Sequence, residues 1–154
     1  MRISASAEYG ARILVQLARS PAGALNADQL SKSENIPRAY VDQILQRLRK
    51  AGLVESHRGA HGGYQLALSP ADITISMMMR AVEGNVFEDV CGKYSSGEHQ
   101  CSHVNACDIR PVWKKLTGLV EGFLDRVTIA QLMPEDGAGA GALGERVLRG
   151  GSHD

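Results

Sequence analysis

The stretch from Pro37 to Gly52 constrains this chain more than any other. Val41, Ile44, Leu45 and Leu48 recur at i, i+3, i+4 and i+7, so a helix here must turn one face inward. At about 100° per residue, the opposite face carries Ala39, Gln43, Gln46, Arg47 and Lys50. Tyr40 sits on one flank, and Arg38, Asp42 and Arg49 on the other. Pro37 suits the first position of this helix and Gly52 its far end. Two helices are predicted before it. The first spans 6–20, capped by Ser6, with Glu8 at its positive end and Gly10, Ile13, Leu14, Leu17 and Ala18 on one apolar face. Ser20-Pro21-Ala22-Gly23 stops it. The second runs from Ala27 to about Ser33, where Asn26 and Gln29 have the spacing of a capping box. After the third helix come two strand-like runs, Leu53–Arg58 and Tyr64–Leu68, joined by Gly59-Ala60-His61-Gly62-Gly63.

Helix, short helix, turn, helix, hairpin is the order of a winged helix-turn-helix. The expected fold is therefore mainly α with a small β-hairpin wing. The polar face of the third helix suits a major groove. Gln can bond a base edge in two places, Arg can read guanine, and Lys can neutralise phosphate. Arg58 and His61, with Gly62 and Gly63, lie where a wing would enter a minor groove. A plain solvated helix face and an ordinary glycine turn are the competing readings of the two parts taken singly. Their succession favours DNA. The candidate DNA contacts are Arg38, Tyr40, Gln43, Gln46, Arg47, Lys50, Arg58, His61, Gly62 and Gly63. Charge agrees. Residues 1–70 hold nine Lys/Arg against five Asp/Glu, a net of +4, and the remainder carries −4.

Beyond Ser69-Pro70, a fourth helix is expected over Ile75–Glu83, a cysteine-bearing loop over 85–110, and a long amphipathic helix over 111–132. Val112, Leu116, Leu119, Val120, Phe123 and Val127 would line one side of that helix, and Pro134 would close it. A stripe of about six turns needs a partner, and a second copy is the simplest one. Four regions follow: a DNA-binding unit over 1–84, the loop over 85–110, a dimerisation helix over 111–133 and a flexible Gly/Ala-rich tail over 134–154. No apolar run approaches the roughly 20 residues of a membrane span, so the expected location is the cytoplasm and no membrane partner is expected.

Tyr40-Val41-Asp42-Gln43-Ile44-Leu45, Leu48-Arg49-Lys50-Ala51-Gly52-Leu53-Val54 and Arg58-Gly59-Ala60-His61-Gly62-Gly63-Tyr64 resemble the IscR/NsrR/RirA group of winged-helix regulators. So do Ala81-Val82-Glu83-Gly84 and the loop with Cys91, Cys101 and Cys107 leading into a long helix. The resemblance covers about residues 1–132. It implies a dimeric transcription regulator whose C-terminal helix dimerises and whose cysteines hold an iron–sulfur cluster that controls operator affinity. A dimer would read a palindromic operator on double-stranded DNA. IscR-type members carry a histidine three residues after the third cysteine, whereas this chain has Arg110 there.

The chemistry of the loop supports a soft metal centre. Three thiolates suit iron–sulfur clusters, which tolerate one non-cysteine ligand, and [4Fe-4S] is preferred here over [2Fe-2S]. Zinc is the rival, with His99 and His103 available, although no close Cys-x₂₋₄-Cys pair occurs. Oxidant-sensing free thiols and buried structural cysteines are further readings. For the fourth ligand, Glu8 lies almost opposite the core stripe of the first helix, beside Arg12, Val15 and Arg19. An apolar Val15 on that outer side suggests that a partner subunit's loop covers it. His103 is the alternative ligand. A DNA-binding regulator using zinc or redox-active thiols stands as the alternative function. An enzyme is not expected, since no cysteine lies in a nucleophile motif and no Cys-x-x-Cys pair exists.

Overall fold

A computed structural model describes residues 3–20, 23–59, 62–84 and 107–133. Six helices and one hairpin are seen among them: α1 (Ala5–Ala18), α2 (Ala27–Glu34), α3 (Arg38–Lys50), β1 (Val54–His57), β2 (Gly63–Leu66), α4 (Ile75–Glu83), α5 (Arg110–Leu124) and α6 (Ile129–Leu132). Ser4, not Ser6, caps α1, its hydroxyl accepting from the Ala7 amide at 3.1 Å. The Asn26–Gln29 capping box of α2 forms as expected. Asn35 then takes a left-handed conformation (φ 52°) that ends α2. Pro37 stands just outside α3 as its N-cap instead of inside it. The bend drops Ile36 into the core, and α2 and α3 form the helix-turn-helix.

The core gathers one stripe from each helix. Ile13, Leu14 and Leu17 of α1 meet Leu30 of α2 and Val41, Ile44, Leu45 and Leu48 of α3. Leu53, Val54, Ile73, Met78 and Val82 complete it. Gly10 lets α1 and α4 cross closely, since a Cβ there would stand 2.9 Å from Met78 Sδ. Arg12 secures α1 to the end of α2, its Nε donating to Glu34 Oε2 at 3.0 Å and Nη2 to the Glu34 carbonyl. The wing is antiparallel, with Val54 opposite Leu66 and His57 opposite Gly63. Leu25 adds a bridge to its other side, exchanging backbone bonds with Tyr64 at 2.8 and 3.0 Å.

The C-terminal helix departs from expectation. The single helix predicted to reach Leu132 ends at Leu124, and a separate turn, α6, follows. Val127, expected on the outer stripe, is buried instead, and Ile129 is fully buried against the N-terminal core. Backbone bonds fasten this return: Ile75 N to Val127 O and Ile129 N to Ile73 O, both at 2.8 Å. Residues 127–132 thus pack with the DNA-binding unit instead of extending the long helix. α5 itself is about 22 Å long at 1.5 Å per residue. It has no buried residue in the single chain. No helix among the described residues is long and apolar enough to cross a membrane.

Candidate nucleic-acid interface

The outward face of α3 is open. Ala39, Gln43, Gln46 and Lys50 are all exposed, while the four apolar residues behind them are buried. Burial of one face against α1, α2 and α4 is what aims the two glutamines and the lysine at solvent. The flanks are engaged. Arg38 Nε bonds both Asp42 oxygens at 3.0 and 3.1 Å, and Nη1 pairs with Asp28 of α2. These bonds, the one to Asp28 first, raise the guanidinium pKa above its ordinary value and hold the side chain along the start of the helix. The i, i+4 spacing of Arg38 and Asp42 was legible in the sequence, but the reach from Asp28 across the turn was not. Tyr40 packs edge-on against Tyr9 of α1, with centroids 5.9 Å apart. Arg47, expected to face the groove, is exposed as well, and its Nη1 donates to the Val82 carbonyl at the end of α4.

At the wing, Arg58 is exposed and His61 lies outside the described residues. Gly62 and Gly63, expected as DNA contacts, have a structural reason to be glycine. A Cβ on Gly62 would stand 2.5 Å from the His57 carbonyl oxygen, and one on Gly63 2.7 Å from the backbone of Leu25. Across the strands, Glu55 accepts from Gln65 at 2.6 Å and lies 3.2 Å from His57 Nε2. These contacts, Gln65 first, hold the Glu55 carboxyl below its ordinary pKa.

Of the expected metal ligands, Cys91, Cys101 and His103 lie outside the described residues, as does His99. Cys107 is a half-buried free thiol just ahead of α5. Glu8 is exposed, and its carboxylate lies 3.9 Å from Arg12 Nη1. Val15 is partly buried against this chain's own core, so it does not need the covering partner inferred from the sequence. Among the described residues, no group of three His, Cys, Asp or Glu is placed to hold a metal ion.

A two-helix turn, an open polar helix face and a two-stranded hairpin beside it define a winged-helix DNA-binding protein. The chain belongs to the Rrf2 family of iron-dependent transcriptional regulators, whose pattern it matches over residues 3–135. It is 31% identical over 137 residues to the HTH-type transcriptional regulator IscR of Photobacterium profundum, covering 88% of this chain and 77% of that one. Among solved structures, IscR of T. potens superposes with a TM-score of 0.68 at 30% identity, covering 84% of each chain. CymR (YrzC), the global cysteine regulator of B. subtilis, gives the same TM-score and identity over 86% of this chain and 95% of its own. The protein is a DNA-binding transcriptional regulator and not an enzyme.

Proposed function

We propose that this regulator binds a palindromic operator as a homodimer and that an iron–sulfur cluster held by Cys91, Cys101 and Cys107 controls its affinity. The observation that carries the dimer is α5. Val112, Leu116, Leu119 and Phe123 form one stripe at i, i+4, i+7 and i+11, and they are 54%, 51%, 64% and 39% exposed. A 15-residue helix with its apolar side bare and no buried residue is half of an interface. A two-fold partner buries the same stripe and sets two α3 helices to read half-sites about one DNA turn apart.

The donor set fits the cluster. Thiolates are the usual ligands of cluster iron, and Cys107 is a thiol free of any disulfide. A bound cluster supplies a centre that oxidation, nitrosylation or iron loss can alter. Glu8 is the fourth ligand in this reading, with its carboxylate exposed on α1; His103 is the alternative. The family's description as iron-dependent and the likeness to IscR support the cluster; in this reading it is [4Fe-4S] and not [2Fe-2S]. The likeness to CymR, a regulator of cysteine, favours a second reading in which thiols or zinc act without a cluster.

The test is anaerobic purification with iron, sulfide and zinc analysis. Wild type should contain iron and sulfide and absorb in the visible, and each Cys→Ala variant should lose both. Glu8→Ala should perturb the spectrum more than His103→Ala. Zinc without sulfide, or a colourless metal-free dimer, would establish the second reading instead.

A further inference from the structure

The last turn of α4 is tied to three other helices at once. Arg47 of α3 donates to the Val82 carbonyl, and Ser4, the cap of α1, donates to Glu83 Oε1. Arg80 pairs with Glu121 of α5 and stands 4.0 Å from Asp125. Gly84 follows at once, and Cys91 is seven positions further along the chain. The free carbonyls at a helix C-terminus carry partial negative charge, which suits a guanidinium. Arg47 also sits one turn from Gln43 on one side and about one turn from Lys50 on the other, in the middle of the recognition helix. Arg47 is exposed, but its bond to the end of α4 takes up Nη1, a nitrogen that a fork onto a guanine edge would use. The guanidinium is placed to make the pose of α3 depend on where α4 ends.

We propose that Arg47 is a positioning residue: it couples the cysteine-bearing chain that leaves α4 to the recognition helix, and it does not read bases. This rests on the cluster-sensing reading above. The coupling is a direct bond from α3 to the carbonyl of Val82, so any shift of that turn is felt by Gln43 and Lys50 on the same rigid helix.

Arg47→Gln and Arg47→Lys are compared with wild type by titrating the selected operator and random DNA, each with cluster-loaded and cluster-stripped protein. Amide hydrogen exchange is followed in the stripped protein. In Arg47→Gln, the loaded-to-stripped affinity ratio should fall from about tenfold to under about twofold. Its preference for operator over random DNA in the stripped state should stay within about twofold of wild type. Exchange should rise in residues 43–50 and 81–84. Arg47→Lys, which keeps the charge and more of the reach toward the Val82 carbonyl than the shorter, neutral glutamine amide, should restore most of the response. A wild-type loaded-to-stripped ratio in Arg47→Gln would overturn the coupling, as would a tenfold loss of operator preference, which marks a base reader. A wild type that responds to neither state of the cluster would sink the sensor reading itself, a result distinct from a responsive wild type with an equally responsive variant.

Discussion

Single side chains divide into those proposed to meet DNA and those that shape the surface offered to it. Gln43 and Lys50 stand on the open face of α3, and they should fail differently. Gln43→Ala should cost about 1–3 kcal/mol on operator DNA and little on random DNA. Lys50→Ala should weaken both and reduce the salt slope by about one unit, as loss of one phosphate contact requires. Equal losses on both DNAs for both variants would reassign this face. Gly63 belongs to the shaping group. Gly63→Ala drives a methyl against the backbone of Leu25 and should cost about 1–3 kcal/mol in denaturant unfolding. Glu55 gives the wing a pH dependence. Its pKa is lowered in the folded state by Gln65 and His57, so its contribution to stability is complete above the ordinary carboxylate range and is lost as pH falls through the lowered value. The Gln65 side-chain amide signal, followed by NMR, should report that loss on acidification and not on alkalinisation.

At the scale of elements, local signals were strong wherever a helix ends on its own chemistry. α4 spans Ile75–Glu83 as its pattern predicts, and the α2 box closes with Asn26 and Gln29. Periodicity failed where a tertiary contact decided. Val127 follows Phe123 at the helical step of four, yet the chain turns at Asp125 so that Val127 and Ile129 can join the core. One local signal did mark the break: Thr128 and Gln131 have capping-box spacing, and the box forms. Likewise, Val15 lies on the outer side by wheel angle but packs partly inward, because a real core is wider than one stripe. The resulting division of labour is testable. Ile129→Ala should destabilise the fold by about 2–5 kcal/mol, as a buried isoleucine in a packed core does. Leu119→Glu should convert dimer to monomer by sedimentation and leave the monomer folded, because the side chain is exposed in the single chain. A dimeric Leu119→Glu protein would place the interface elsewhere.

Across the whole molecule, charge and architecture agree. The basic half of the chain forms the helix-turn-helix and wing, and the acidic half carries the cysteines and the apolar α5 helix. Glu121 of α5, and Asp125 just past its end, meet Arg80 of α4, so the helix expected to dimerise is joined electrostatically to the unit expected to hold DNA. In the proposed dimer, that continuity would carry a change beside α5 to the relation between two recognition helices. The DNA-binding scaffold was largely legible in the sequence, because it is built from local caps and one strong stripe. The proposed site of regulation was legible only as a set of donors, because three cysteines spread over residues 91–107 carry no periodicity that places them. The most direct test is operator selection from random DNA, followed by anaerobic titration of the selected site with cluster-loaded and cluster-stripped protein. A two-fold symmetric site is expected, with a change in affinity of about tenfold or more between the two states. Superimposable titrations, or a selected site without two-fold symmetry, would contradict it.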